Sequence, residues 1–207
     1  MEKTDTVIKD VIIDNIQSWK EAHLKSFQAN YGDSYREIEF INNLYYKQWN
    51  NLSEFNIEFI SKCCEYLDIH TRLLRSSELK CVGKKGDLVL NICKQLHATD
   101  YLSTVGSADY LEDYRYRFDE SGIKIIYHDY THPIYRQRGK TFIENLSILD
   151  LIFNEKNNVG CPKKLCEFYL HNIISTLEEN FIIGDAKLTE NYSTHFQGFA
   201  SVKNVPN

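Results

Sequence analysis

The chain has 207 residues, of which 43% are hydrophobic and 26% are charged, and this fits one globular domain or one domain with an extension. The net charge of −5 argues against a general nucleic-acid binder, because neutralising phosphates requires a basic surface. The opening MEKTDTVIKD lacks the apolar segment of a secretory signal, and no run of about 20 apolar residues could cross a membrane. The six cysteines follow neither disulfide nor zinc spacing. We therefore expect a cytoplasmic protein with reduced thiols and without a bound metal or cofactor.

The first third of the chain is predicted to be mainly helical after a short opening strand. Residues 7–13 (VIKDVII) are rich in β-branched side chains, which favour a strand. Side chains at 14 or 15 and at 33 or 34 are of the types that cap helices. Helices are therefore predicted from residue 14 or 15 to about residue 29 and from residue 33 or 34 to about residue 45. A third helix is predicted over residues 52–67, where apolar side chains recur at helical spacing.

Strands and helices alternate in the middle of the chain. Strands are predicted at residues 72–75, 99–103 and 123–127, with helices at 87–96 and 109–120 between them. This order is typical of β-α-β units, so we expect three parallel strands in one sheet with flanking helices. A short helix capped by Asn145, a linker, a final helix over about 162–180 and a loose tail follow. The predicted fold class is α/β, with a helical N-terminal third and a C-terminal helix.

The three predicted strands each end in a polar loop. Because the carboxyl ends of parallel strands lie at one edge of a sheet, we expect these loops to form one ligand site. The candidate substrate-binding residues are Ser76, Ser77, Lys84, Lys85, Gly106, Ser107, Tyr110 and Tyr135. For the serines and Gly106, ordinary turns remain an alternative interpretation.

The segment Gly83-Lys84-Lys85-Gly86 has two interpretations. Backbone N–H groups at the start of the next helix could hold an anion, with a lysine adding positive charge. The segment does not match the phosphate-binding P-loop pattern, however. Asp87 could instead cap the helix, and its carboxylate would then repel a phosphate.

The segment YHDYTHPIY (127–135) carries the largest concentration of reactive side chains. His128 and His132 have a spacing that would pair them on a helix, but the segment ends a strand and runs into a proline, which disfavours a metal pair. His132 is a candidate catalytic acid or base, and a hydrogen-bonded loop histidine is the alternative. Asp150 interrupts an apolar helix, so we expect it to have a partner or a ligand, and it is the second catalytic candidate.

Several blocks of the sequence resemble the WbqC-like family in order and spacing over about residues 7–154. The matching pieces are S-S-E-L, G-K-K-x-D, Y-L-S, H-P-x-Y and L-S-I-x-D-L-x-F-N, within residues 75–154, and the block IDNIQSWKEAHLKSF before them. This chain has Gly86 where the family commonly has serine. The Q-P-x-Y-x-P-W segment with which family members usually open is missing, so we expect a truncated or split member.

The resemblance implies a cytoplasmic protein of bacterial O-antigen, lipopolysaccharide or capsule synthesis that transfers a glycosyl, acyl or aminoacyl group. It implies a sugar nucleotide or a sugar-linked amine as substrate. We expect residues 1–154 to form the family domain and residues 155–207 to form a helical extension. A non-catalytic subunit completed by a partner chain or by oligomerisation is the alternative, and a metal-dependent hydrolase using His128, Asp129 and His132 is a third.

Overall fold

The computed structural model describes residues 7–128, 132, 134–155 and 180–183. These residues form helices and parallel strands, which confirms the predicted α/β class. The helices are α1 (Trp19–Tyr31), α2 (Glu39–Tyr46), α3 (Leu52–Tyr66), α4 (Gly86–Gln95), α5 (Ala108–Glu112), α6 (Arg115–Glu120) and α7 (Ile148–Asn154). The strands are β1 (Arg72–Arg75), β2 (Asp100–Thr104), β3 (Lys124–His128) and β4 (Asn180–Ile183). Short 3-10 helices cover Ile8–Asp10, Gly32–Glu37, Ser76–Glu78 and Val105–Ser107.

The chain divides into two compact units, each with its own core. Of the described residues, the strand unit contains 7–9, 71–128 and 180–183. The helical unit contains Asp10–His70 together with residue 132 and residues 134–155. The predicted extension over residues 155–207 and its helix at 162–180 lie almost entirely outside the described residues, so that domain division stays a prediction.

The strand unit contains two parallel strand pairs among the described residues. Strand β2 pairs with β3, with Tyr101 opposite Ile125. Strand β1 pairs with β4, with Leu74 opposite Ile182, and not with β2 as expected. The final helix is predicted to end at about Asn180, where β4 instead begins. The parallel direction of the strands was therefore predicted, but the partner of β1 was not, because it is more than 100 residues further along the chain.

The core of the strand unit lies between the β2–β3 pair and its helices. The rings of Tyr101 and Phe118 stack with their centroids 5.8 Å apart, and both side chains are fully buried. Leu90 and Cys93 on α4 and Leu111 on α5 pack into the same cluster. Residues 109–120 were predicted as one helix but form α5 and α6, because the chain tightens into a turn in which the Tyr114 N–H donates to the Leu111 carbonyl.

The helical unit is built around aromatic side chains. Helix α3 matches its predicted span, and its N-cap Asn51 accepts a hydrogen bond from the Glu54 N–H at 3.0 Å. The Phe153 ring on α7 lies 5.3 Å from the Phe27 ring and 4.9 Å from the Tyr31 ring, measured between centroids. These contacts join α7 to α1 and place the end of α1 beside the polar side of α7.

The opening of the chain differs from its prediction. The segment predicted as a strand at residues 7–13 forms a 3-10 helix, Ile8–Asp10, and one antiparallel bridge between Ile12 and Asn51. Helix α1 begins at Trp19 and not at residue 14 or 15, because the Asp14 carboxylate accepts from the Ile16 N–H at 3.0 Å and closes a separate turn. Local side-chain hydrogen bonding therefore outweighs the β propensity of this segment and moves the start of α1 to a later residue.

Candidate functional site

Asp150 is a buried carboxylate on α7, between apolar neighbours, and its side chain is 5% exposed. Its Oδ1 accepts a hydrogen bond from the Tyr31 hydroxyl at 2.7 Å. Its Oδ2 accepts from the Tyr135 hydroxyl at 2.7 Å and from Gln137 Nε2 at 3.0 Å. We call these four residues the Asp150 centre. Asp150 therefore has three hydrogen-bond partners, as expected for a carboxylate in an apolar helix. The catalytic role of Asp150 stays a prediction.

The hydrogen bonds to Asp150 replace the water that a carboxylate loses on burial. An unpaired buried charge would cost several kcal/mol, whereas hydrogen bonds to a charged acceptor each return about 1.5–3 kcal/mol. The pKa of Tyr31 is raised well above its ordinary value, chiefly by burial and then by the hydrogen bond to Asp150 and its charge. The Tyr31 hydroxyl therefore keeps its proton and remains a donor at ordinary pH.

Local structure explains why Asp150 is tolerated in an apolar helix. It lies in the first turn of α7, where the free N–H groups favour a negative charge. The N-cap of this helix is Ser147, whose Oγ accepts from the Leu149 N–H at 3.3 Å, and not Asn145 as predicted. The Asn154 side chain donates to the Asp150 carbonyl at 2.8 Å.

Gln137 connects the Asp150 centre to the loop that follows it. Its Nε2 donates to the Ile143 carbonyl at 2.9 Å, and its Oε1 accepts from the Ile143 N–H at 2.8 Å. The same Nε2 reaches Asp150, so one amide joins both ends of a loop to a buried carboxylate. The loop between them is R-G-K-T-F (138–142).

His132 lies beside the Asp150 centre in a cluster of rings. Its ring centroid is 6.0 Å from that of Tyr135 and 5.6 Å from that of Phe142. Tyr135 and Phe142 meet edge to face, with centroids 5.4 Å apart. His132 is half-buried, so a reacting group could reach it from one side. Tyr135 therefore contacts His132 through its ring and Asp150 through its hydroxyl.

In the strand unit, the Gly83–Gly86 segment has a different form from its predicted capped turn. The N-cap of α4 is Lys85, with a φ of 52°, and no side chain caps this helix. Asp87 lies in the first turn, where its carboxylate pairs with the Arg117 guanidinium. The predicted capping by Asp87 is therefore wrong. Because Arg117 compensates the Asp87 charge, the objection that Asp87 would repel a phosphate is weakened.

Gly86 is held by packing against an aromatic ring. A Cβ placed on Gly86 would lie 2.4 Å from Cγ of Tyr114, far inside van der Waals contact. The Tyr114 ring thus covers the start of α4, and Lys84 and Lys85 remain exposed. A serine at position 86, as is common in the family, would require this ring to move.

The other predicted loop residues occupy ordinary turns of the strand unit. Ser76 and Ser77 begin the 3-10 helix after β1, and Ser77 is exposed. After β2, the buried Ser107 Oγ lies 3.2 Å from Thr104 Oγ1, while Gly106 is exposed. The predicted residue Tyr110 on α5 packs against the core of the strand unit.

The structure gathers the predicted residues into two sets. His132, Tyr135 and Asp150 belong to the helical unit, where Tyr135 contacts both of the others. The strand unit carries the remaining set: Ser76, Ser77, Lys84, Lys85, Gly106, Ser107 and Tyr110. A single site shared by all three loops stays a prediction.

Tyr31 and Gln137 were not identified from the sequence. Tyr31 is 119 residues from Asp150 along the chain, and no motif connects the two. The available signal was the charged residue in an apolar helix, which indicated that partners must exist but not which ones.

A metal centre receives no support from the described residues. Among them, no group of three or more histidine, cysteine, aspartate or glutamate side chains could hold a metal ion. Asp129, one of the three residues of the hydrolase hypothesis, lies outside the described part of the chain.

Comparison with known proteins identifies the family. The sequence model of the WbqC-like protein family matches residues 1–160. Uncharacterized protein Rv1507c of Mycobacterium tuberculosis is 32% identical over 152 residues, which are 71% of this chain and 64% of that protein. The chain thus spans a little under two thirds of the relative that it matches. No solved structure matches, and none of the described helices is long and apolar enough to span a membrane. On the evidence of the family match, which covers more than half of its length, the chain belongs to the WbqC-like protein family.

Proposed function

We propose that this protein is a transferase of bacterial surface-polysaccharide synthesis, acting in the cytoplasm on a sugar nucleotide or a sugar-linked amine. Membership of the WbqC-like family supports the general class. The observation that carries the proposal is the Asp150 centre, in which a buried carboxylate accepts hydrogen bonds from two tyrosines, one of which, Tyr135, packs against the half-buried His132. Such an arrangement is characteristic of a site in which geometry has to be maintained for chemistry.

The roles of the helical-unit residues follow from their positions. Transfer to a hydroxyl or an amine requires a base that removes the proton of the attacking group, and the half-buried His132 is the candidate. Asp150 has three donors on its two oxygens, so it acts as a positioning residue through Tyr135. Tyr135 and Phe142 form the wall against which a sugar ring can pack.

Lys84 and Lys85 are the proposed contacts for phosphate in the strand unit. They are exposed, they precede an α4 N-terminus without a side-chain cap, and Asp87 is paired with Arg117. Two exposed lysines beside a helix N-terminus favour a phosphate of the donor.

Thermal unfolding with nucleotide sugars tests this proposal. The full chain is mixed in turn with UDP- and dTDP-sugars, and the melting temperature is measured. A ligand at 100 times its dissociation constant stabilises the folded state by about 2.7 kcal/mol, so a clear upward shift is expected. No shift with any nucleotide sugar contradicts the proposed donor class.

The assignment of His132 and Asp150 is tested by transfer of a labelled group to sugar amines. We expect His132→Gln to lower kcat at least tenfold and to remove the acidic limb of the pH profile, because a general base must be unprotonated to act. We expect Asp150→Asn to lower kcat while that limb remains. An equal pH profile in wild type and His132→Gln contradicts the role of the histidine.

A second candidate function is a non-catalytic subunit that binds another chain. The observation in its favour is exposed apolar surface on the helical unit, where Ile16 is 97% and Ile134 is 80% exposed. Light scattering separates the two candidates, because a subunit completed by a partner is expected to self-associate when it is purified alone. A monomer that transfers groups excludes this alternative.

A further inference from the structure

The loop that follows Tyr135 carries a concentration of positive charge. Arg136, Arg138 and Lys140 lie two residues apart in R-Q-R-G-K (136–140), and all three are exposed. We call residues 136–140 the RQRGK loop. The chain as a whole has a net charge of −5, so this local excess of three cations runs against its average.

The side chains of these cations form no ion pair within the described part of the protein. No described carboxylate forms an ion pair with the side chains of Arg136, Arg138 or Lys140. The described ion pairs elsewhere join lysine or arginine to a nearby acid, as in Lys47–Glu58 and Arg115–Glu112. Three like charges close together repel one another unless an anion lies among them.

The RQRGK loop is anchored at its first two residues. The Arg136 N–H donates to the buried Glu155 carboxylate at 3.3 Å. The Gln137 side chain is held by Ile143 and Asp150. The exposed cations therefore extend from a rigid base, and a ligand that they bind does not have to order the loop first.

Arg138 is placed by a close approach to Gly32 at the end of α1. A Cβ on Gly32 would lie 2.9 Å from the Nη1 atom of Arg138, and Gly32 has a φ of 62°, so glycine suits this position on both counts. The guanidinium thus lies at the C-terminal end of a helix, where the dipole favours a positive charge. No described residue accepts a hydrogen bond from it, and the Arg138 residue is exposed.

We propose that the RQRGK loop binds the diphosphate group of the acceptor substrate, next to His132 and Tyr135. Guanidinium groups bind phosphate oxygens in a bidentate manner, and a lysine adds a point charge. This proposal rests on the proposed function only in assigning the diphosphate to the acceptor sugar of a transfer reaction. Binding of a diphosphate by the loop does not depend on that reaction. That diphosphate belongs either to a nucleotide or to a lipid carrier, and both present the same anionic group.

Calorimetric titration of the full chain with inorganic pyrophosphate and with UDP tests the site. We expect Arg136→Ala/Lys140→Ala to weaken binding at least about tenfold, as expected for the loss of charge-assisted hydrogen bonds. Arg138→Ala is expected to weaken it to a similar extent. The control Lys25→Ala/Lys94→Ala removes two exposed lysines elsewhere and is expected to change the affinity less than about twofold, because distant exposed charges are screened.

Flotation with phosphatidylcholine vesicles, with and without phosphatidic acid, distinguishes the source of the phosphate. Binding to the phosphatidic-acid vesicles that is lost in Arg136→Ala/Lys140→Ala supports a lipid carrier, and loop-dependent UDP binding supports a nucleotide. Equal affinities in the loop variants and in the lysine control overturn the proposal, as does absence of binding to all three ligands. Loop-dependent pyrophosphate binding without transfer from any donor would retain this site and remove the transferase proposal.

Discussion

Two basic loops among the described residues, one in each unit, are supported in different ways. In the strand unit, Lys84 and Lys85 extend from a segment that depends on backbone conformation and on the contact between Gly86 and the Tyr114 ring. In the helical unit, the RQRGK loop depends on hydrogen bonds to buried carboxylates. The first loop can be recognised in the sequence because Gly83 and Gly86 directly flank its two lysines. The hydrogen bonds that hold the second loop are not evident from the sequence, because Asp150 and Glu155 lie 13 and 19 residues from the loop residues that they bind.

Removing the carboxylate of the helical unit is expected to have the largest effect. Asp150→Ala leaves the donors of Tyr31, Tyr135 and Gln137 without their acceptor, so we expect the free energy of unfolding to fall by about 3 kcal/mol or more. Urea unfolding measures this change.

The matched control for Asp150 lies in the strand unit. Asp109 is an exposed aspartate in the first turn of α5, and we expect Asp109→Ala to change the free energy of unfolding by less than about 0.5 kcal/mol. Equal effects of the two substitutions would contradict the difference drawn between the loops.

The strand-unit loop is tested by adding one methyl group. Gly86→Ala places a Cβ against the Tyr114 ring, so we expect a destabilisation of about 1–3 kcal/mol from overpacking. Gly106→Ala adds the same group where no atom lies within 4 Å and is expected to be nearly neutral. If thermal unfolding gave the same midpoint for both variants, Tyr114 would not support this loop.

The positive φ of Lys85 gives a smaller effect of opposite sign. A non-glycine residue in this conformation is strained by about 1–2 kcal/mol, part of which is offset by the extra freedom of glycine in the unfolded chain. We expect Lys85→Gly to stabilise the protein by about 0.5 kcal/mol in urea unfolding. Lys84→Gly, at a position without a positive φ, should instead destabilise it slightly.

Elements with strong local signals were predicted well from the sequence. Helices α3 and α4 and strands β2 and β3 are within one or two residues of their predicted spans, since their apolar spacing and flanking turn residues agree. The prediction for the opening segment was wrong, because hydrogen bonding by Asp14 competes there with the intrinsic strand and helix propensities. The pairing of β1 failed because its partner, β4, is distant in the chain.

The candidate site was predicted only as far as single residues allow. Asp150 attracted attention because a carboxylate in an apolar helix needs compensation, and the structure supplies it. The compensating residues could not be named, since a hydroxyl on α1 meets α7 only after the aromatic core has packed. Gln137 likewise gains its importance from geometry.

The buried thiols of the two units are expected to behave alike, so they give the smallest predicted difference between the units in pH dependence and reactivity. Burial raises the pKa of Cys63, in the helical unit, and of Cys93, in the strand unit, to about 12 in each case. The folded state keeps these protons when the unfolded chain has lost them, so the free energy of unfolding falls as the pH rises from about 9 to about 12. At pH 8, iodoacetamide should modify Cys81, which is only partly buried, before either of them. Peptide mapping shows the order, and early modification of Cys93 would contradict this core.

Hydrogen exchange at the Ile143 amide tests most directly the claim that Asp150 holds the RQRGK loop in place. That N–H donates to Gln137, whose other end is bound by Asp150, while the Lys124 N–H in the strand unit donates to the Thr99 carbonyl at 2.9 Å. In Asp150→Asn we expect the Ile143 amide to exchange at least about tenfold faster than in wild type, because Gln137 loses its bond to the carboxylate and releases Ile143 locally. The exchange of the Lys124 amide should remain unchanged. Unchanged exchange at Ile143, or equal acceleration at both amides, would contradict the account.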